Sequence, residues 1–206
     1  MVGANDDAFD AVVSALVAGE PALVPTDTLF GIAVSPLHCP DPGILYEIKG
    51  RPSSKPVAWL VSQKRDLEIY GADVPPWVKR LAEAFWPGAL TLIVRASESV
   101  PSEYQSATGT IGLRMPDDVL VRVIADEVGN PLAVTSANLS GQADPQRFCD
   151  IEPVILAQVA AAIDDEQEKS GVGSTVLDCT GETYKILRAG GITQAAIDAV
   201  LNAPAV

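Results

Sequence analysis

TIGLRMPDDVLVRVIADEVGNPLAVTSANLSG, residues 110–141, carries the pattern that decides the fold. TIGLRM (110–115) and PLAVTSA (131–137) are apolar runs of strand length, and residues 117–128 between them form a helix. The second run ends in a polar turn, TSANLSG (135–141), where Ser136, Asn138 and Ser140 offer short hydroxyl and amide groups and Gly141 permits tight backbone geometry. Strand, helix, then strand with a donor-rich turn is the grammar of an α/β sheet, in which ligands collect at the carboxyl ends of strands.

The same alternation runs to both ends of the chain. Phe9, Val12, Val13, Leu16 and Val17 fall on one face of an opening helix over 6–18, which Gly19 ends. ALVP (22–25) and LFGIAVS (29–35) read as buried strands. Asp41 and Pro42 resemble an N-cap followed by Pro at the first helical position, opening a short helix to Ile48. PVAWLVS (56–62) is a strand, Pro75–Phe85 a helix closed by Pro87 and Gly88, and ALTLIVRA (89–96) a strand. The stretch 142–170 is polar and helical only in part, with an acidic run Asp164-Asp165-Glu166. STVLDC (174–179) and YKILR (184–188) face each other across a T-G-E turn, and a last helix covers 193–202. Some neighbours are hairpin-like, so the expected architecture is one α/β domain over 1–206, a mixed twisted β-sheet flanked by helices.

Composition excludes several classes of function. The chain has 206 residues, with 14 Lys plus Arg against 27 Asp plus Glu, a net charge of −13. Such a surface offers no general grip on nucleic acid or on an anionic membrane. The start, MVGANDDAFD, is acidic where a secretory leader would be basic, and no apolar run reaches the ~18 residues of a membrane span. Cys39, Cys149 and Cys179 are odd in number and widely spaced, which suits a reducing cytoplasm and gives neither a disulfide framework nor a zinc site. The single histidine, His38, sits in the turn-like SPLHCP and reads as a solvated loop residue. G-x-x-x-x-G-K-[ST] and G-x-G-x-x-G are both missing, so a nucleotide site has to be built another way.

The scarce cations show where that site lies. Residues 1–48 contain no Lys or Arg, and then Lys49, Arg51 and Lys55 arrive together in YEIKGRPSSKP, an irregular loop suited to wrapping phosphates or carboxylates. The same loop could equally serve as a solvated counterweight to acidic neighbours. PTDTLFG (25–31) is another polar turn after a strand, with Thr26, Asp27 and Thr28. Arg114 and Arg188 each close an apolar strand, where an Arg either snorkels to solvent or clamps an anion. Ser174 and Thr175 start a strand after two glycines in GVGSTV. No strong acid–base pair stands out, so this inventory suits a reaction run by bound cations, a metal and positioning rather than by a nucleophilic side chain.

Taken in order, PTDTLFG, KGRPSSKP, WPGALT (86–91), TIGLRMP, TSANLSG, GSTVLD and ILRAGG are similar to the motifs of the YrdC/Sua5 family of threonylcarbamoyl-AMP synthases, from about residue 8 to residue 200. The resemblance implies a YrdC-like fold and a reaction: L-threonine takes up bicarbonate to give a carbamate, whose oxygen attacks the α-phosphorus of ATP. Pyrophosphate leaves, and a separate transferase complex passes the threonylcarbamoyl group to A37 of tRNA. Triphosphate chemistry then calls for Mg²⁺ travelling with ATP, with no protein-held metal, and the −13 charge and the cysteine pattern add the expectations of weak or no direct tRNA binding, no membrane and a cytoplasmic enzyme.

By the same resemblance, Thr28, Arg114 and Ser174 match threonine-side positions. Lys49, Arg51 and Lys55 match the basic loop over the phosphates and the carbamate. Thr110, Ser136, Asn138 and Arg188 match nucleotide-side or reaction-centre positions, with Asp144 as a further nucleotide contact. Lys49, Arg51, Ser136 and Asn138 are thus the implied catalytic set. Phe30 stands where the family commonly has Tyr, and Leu60 where some members have His, so neither is given a role beyond packing. The chain resembles the short form of the family. The competing expectations are a paralogue that keeps the cavity without the activity, and an RNA-binding or ribosome-maturation factor of the same fold.

Overall fold

The computed structural model describes residues 4–51, 56–129 and 131–203. Among them nine strands form one sheet: β1 (Ala22–Val24), β2 (Gly31–Val34), β3 (Ala58–Leu60), β4 (Leu90–Arg95), β5 (Thr110–Arg114), β6 (Leu132–Ser136), β7 (Ala161–Ala162), β8 (Thr175–Asp178) and β9 (Lys185–Arg188). Their order is β7-β1-β2-β6-β3-β5-β4-β8-β9. The β1/β7, β3/β5 and β4/β8 pairs are parallel and the other five antiparallel, so the sheet is mixed as expected. β5 and β6, the strands that open and close the 110–141 stretch, are not neighbours; β3 lies between them.

The helices are α1 (Ala4–Val17), α2 (Gly43–Lys49), α3 (Asp66–Tyr70), α4 (Pro76–Phe85), α5 (Val119–Val128), α6 (Pro153–Leu156) and α7 (Gln194–Asn202). Their ends follow local chemistry. Asp118 caps α5, its carboxylate accepting the Val121 N–H at 3.2 Å, and Thr193 caps α7 by accepting from Ala196 at 3.2 Å. Asp41 accepts from the Gly43 N–H at 2.8 Å, so α2 begins one residue later than the Asp-Pro pattern predicts. α3 and β7 fall in stretches where the sequence shows no clear period. Among the described residues, no helix is long and apolar enough to cross a membrane.

Side-chain alternation divides the sheet into two faces. Ile32, Trp59, Leu92, Ile111, Leu113, Ala133 and Leu177 point to one face and are buried beneath α2, α4 and α7, which contribute Leu45, Ile48, Val78, Leu81 and Ile197 to a single core. The opposite face is shared. At the β1 end, Ala33, Leu60 and Leu132 meet α1 and α5 through Leu16, Val121, Ile124 and Val128 in a second, smaller core. Over β3, β5, β4 and β8 no helix among the described residues closes it, and the cavity described next opens there.

Candidate active site

The cavity encloses about 460 Å³, within the range of small-molecule sites. The register builds its floor. Val134, Ala58, Gly112 and Ile93 are paired in one row across β6, β3, β5 and β4, giving an apolar strip whose side chains are only partly buried. Two residues along β5 in one direction is Thr110, and two in the other is Arg114. At about 3.3 Å per residue these two lie ~13 Å apart, and they mark two poles.

The first pole gathers Thr28, Arg114, Thr91, Ser174 and Arg188. Arg114 is only 6% exposed and is held on three sides: its Nε donates to Gly88 O at 3.0 Å, Nη1 to Thr28 Oγ1 at 2.8 Å and Nη2 to Asp27 Oδ1 at 2.5 Å. Gly88 belongs to the WPG turn, where the Trp86 indole donates to Leu90 O at 2.8 Å and fixes the entry to β4. Desolvation lowers the Arg114 pKa, with Asp27 opposing and Arg188 adding to the fall. Arg188 donates from Nε to Ser174 O and from Nη2 to Ser174 Oγ, each at 3.0 Å, and Ser174 Oγ shares a 2.7 Å hydrogen bond with Thr91 Oγ1. Of five guanidinium N–H groups these bonds use three on Arg114 and two on Arg188, so both retain donors for an anion. Gly190 closes this corner: a Cβ there would stand 2.2 Å from Gly173 O, so only glycine lets the chain after β9 pass.

The second pole gathers Thr110, Ser136 and Arg51. Arg51 Nη1 donates to Thr135 Oγ1 at 3.0 Å and Nη2 to Pro56 O at 3.1 Å, with the guanidinium 5.6 Å from the Tyr46 ring centre. Thr110 Oγ1 is 2.7 Å from Ser106 Oγ. Behind this pole lies Lys49, 4% exposed and outside the cavity wall. Its ammonium donates to Ser136 O at 2.5 Å and to Asn138 O and Oδ1, each at 2.6 Å, with Ser136 Oγ at 3.2 Å. α2 delivers it because Gly50, at φ 58°, caps the helix in the left-handed region and turns the chain away. Burial, then repulsion from Arg51, lowers the Lys49 pKa to about 8, against the pull of Asp144. Lys49 thereby shapes the TSAN turn from behind.

Most of the residues singled out from sequence therefore meet at one cavity: Thr28, Arg51, Thr110, Arg114, Ser136, Ser174 and Arg188 line it. Asn138 sits one layer back, bonded to Lys49 and, at 2.6 Å, to Ser136 Oγ. Asp144 is exposed and off the wall, its charge felt at Lys49. Lys55 lies outside the described residues. The resemblance separates Ser174 from Arg188 into threonine and nucleotide sides; here they are bonded to each other. His38 is half-buried in its turn, 3.0 Å from Ser35 Oγ, and far from fully solvated. The cavity also lies across a sheet face rather than beyond the strands' carboxyl ends, because β5 brings residues from both of its ends. Thr91, Gly112 and Gly173 belong to it too; Thr91 is legible only as a polar residue within the apolar run that Arg95 closes.

The electrostatics are one-sided. Among the described residues the wall carries three guanidiniums and no carboxylate, in a chain of net charge −13. Hydroxyl and guanidinium side chains are its polar lining, and no group of three or more His, Cys, Asp or Glu side chains among the described residues could hold a metal. This donor set does not fit a resident divalent ion.

A family model named Sua5_yciO_yrdC, described as telomere recombination, matches residues 14–190. The chain belongs to the Sua5/YciO/YrdC family. It is 33% identical over 199 residues to a threonylcarbamoyl-AMP synthase of Bacillus subtilis, covering 96% of this chain and 58% of that protein. It is 34% identical over 190 residues to one of Rattus norvegicus, covering 89% and 67%. Among solved structures it resembles P. abyssi Sua5 complexed with L-threonine, at a TM-score of 0.89 and 28% identity over 94% of this chain and 57% of that one. It also shares its fold with E. coli YciO, at a TM-score of 0.80, 22% identity and 88% coverage of both chains. The chain thus spans a little over half the length of two of these Sua5/YciO/YrdC relatives.

Proposed function

We propose that the chain is an L-threonylcarbamoyladenylate synthase, a nucleotidyltransferase that condenses L-threonine, bicarbonate and ATP. The observation that carries this reading is the cavity with cations at two poles ~13 Å apart along β5, a span that takes an amino-acid carboxylate at one end and nucleotide phosphates at the other. The names of the relatives and of the threonine complex support it.

In this reading Arg114, held on edge by Asp27 and Gly88, turns its remaining N–H groups to the threonine carboxylate beside Thr28 Oγ1. The threonine nitrogen then lies over the Gly112 row. It attacks bicarbonate carbon and water leaves, giving the carbamate. The carbamate oxygen attacks the α-phosphorus of ATP, and the P–O bond to pyrophosphate breaks. Arg51, Thr110 and Ser136 face the nucleotide, and Lys49 with Asn138 keeps the Ser136 turn in shape. Arg188 faces the reacting centre through its uncommitted donors. Rate comes from proximity and from fixed positive charge beside developing negative charge, with no side chain acting as nucleophile. Mg²⁺ enters as the ATP salt, as part of the substrate. The product passes to a separate tRNA-modifying transferase, and the acidic exterior disfavours a direct hold on tRNA.

The test is pyrophosphate release by the purified chain. It should require threonine, bicarbonate and MgATP together; release indifferent to omission of threonine or bicarbonate would defeat the assignment. A tight, steeply salt-dependent affinity for tRNA would favour the RNA-binding reading instead.

A further inference from the structure

The connection from β7 to β8 crosses the cavity side of the sheet. It starts at the β7 edge, runs through Asp164-Asp165-Glu166-Gln167-Glu168-Lys169-Ser170-Gly171-Val172-Gly173 and delivers Ser174 to the first pole, near the opposite edge. On the way it is tied to the threonine side: Gly171 N–H donates to Thr28 O at 3.1 Å, and Ser170 Oγ donates to the same carbonyl at 3.4 Å. Gly173 O in turn accepts from Gly191 at 3.1 Å. The segment therefore sets where two hydroxyls stand, Thr28 and Ser174.

Its anchor is Lys169. In an acidic, strongly polar run this side chain would be expected in solvent, yet Lys169 is only 6% exposed. Its ammonium is ion-paired to Asp165, lies 4.0 Å from Asp118 Oδ2 at the cap of α5, and stands 5.1 Å from the centre of the Phe30 ring. Its backbone N–H donates to Gln146 O at 2.8 Å. A buried cation touching two carboxylates and an aromatic face costs desolvation that only a fixed geometry offsets. Phe30 thereby gains a role beyond packing, since its ring is fully buried, edge-on to Phe148 at 6.0 Å, and presents its face to Lys169.

We propose that Lys169 is a positioning residue for the amino-acid substrate, acting through the 170–174 segment on Thr28 and Ser174. This rests on the reading of the Arg114 pole as the threonine side. Losing the cation leaves Asp165 and Asp118 facing each other, frees residues 170–174, and lets Ser174 and Thr28 drift from the carboxylate, whereas Arg51 and Thr110 are bonded to other segments, at Thr135, Pro56 and Ser106.

The experiment compares wild type, Lys169→Met, Lys169→Arg, Asp165→Asn and the double variant Lys169→Met/Asp165→Asn. Asp165→Asn keeps the oxygen that accepts the Gln167 N–H and replaces the oxygen paired with Lys169 by an amide nitrogen, so it breaks the ion pair with Lys169 still in place and remains informative where Lys169→Met folds poorly. Steady-state pyrophosphate release is measured against threonine and against ATP, with hydrogen exchange of the amides of 170–175. Lys169→Met is expected to raise KM for threonine by about tenfold or more while KM for ATP changes less than about twofold, and Lys169→Arg to recover most of the loss. Exchange at Gly171 should quicken in Lys169→Met, and the double variant should be less impaired than the sum of the singles. Equal rises in both KM values, or a lowered melting temperature with both KM values unchanged, would overturn the proposal. If the wild type itself shows no threonine-dependent turnover, the synthase reading falls; the anchor is then decided by exchange, and unchanged protection of Gly171 in Lys169→Met and in Asp165→Asn overturns it.

Discussion

The two faces of β5 are made from consecutive residues, yet they obey different rules. Ile111 and Leu113 point one way and are fully buried beneath helices; Thr110, Gly112 and Arg114 point the other and form the length of a cavity. On the first face volume is everything, because close-packed side chains tolerate neither gaps nor additions. On the second the sheet is left partly uncovered, and charge and reach count instead. The stability of the molecule and its chemistry are thus separable at single-residue steps along one strand.

Arg114→Ala puts that separation under the greatest load, because the two sets of rules meet at this residue. Removing the guanidinium leaves Asp27 without its cation, which should cost about 3–5 kcal/mol of stability and abolish threonine-dependent turnover. Denaturant melts and pyrophosphate assays measure the two losses. Leu113→Ala should cost about 2–5 kcal/mol in the same melts, with both KM values unchanged in the folded enzyme.

Gly112→Val is the converse. A Cβ at this position meets Thr91, Ile93 and Ala58 no closer than 3.4 Å, so the backbone has room for a Cβ on the cavity side. The added methyls fill the floor between the poles, and kcat/KM should fall by roughly 30-fold, about 2 kcal/mol, with the melting curve nearly unmoved. A loss of stability without a loss of activity would show that the two faces are not independent.

Lys49 gives a pH signature with opposite signs. Its folded pKa, about 8, lies below the ordinary 10.5, so between these values the unfolded chain holds more protons, and the Lys49 contribution to stability rises with pH. Below about pH 8 its ammonium holds the Ser136 turn; above, that hold is lost and activity should decline. A pH–rate profile run beside pH-dependent melts tests this, and Lys49→Met should remove the alkaline limb. The smallest effect belongs to neither face: Lys64→Ala breaks an exposed pair with Glu83 at 2.7 Å and should change stability by less than about 1 kcal/mol, with no change in rate.

How much of this is legible in the sequence follows from the range of each signal. α4, α5, β4, β5 and β6 have full local patterns, with caps or breakers at their ends, and appear within a residue or two of their predicted limits. The order of strands is not local: that β3 separates β5 from β6 depends on pairing across more than fifty residues. β7 is two residues long and has no period to read. In the site, Arg114 and Arg188 are legible as cations closing apolar strands, although Arg95 closes β4 in the same way and is exposed outside the cavity wall. Lys169 does not, because Asp164-Asp165-Glu166 around it reads as a solvated run; its spacing of four from Asp165 is the available sign. That Lys49 faces protein oxygens rather than the cavity is invisible without the turn it holds.

If the open half of this sheet face joins a threonine carbamate to AMP, the product itself carries the proof. The chain is given ¹³C-bicarbonate, L-threonine and MgATP, and the adenylate formed is weighed. A threonine-containing adenylate should appear carrying the label, equal in amount to the pyrophosphate released and lost in Arg114→Ala. An adenylate without the label, or pyrophosphate release that continues when threonine is omitted, would contradict that chemistry.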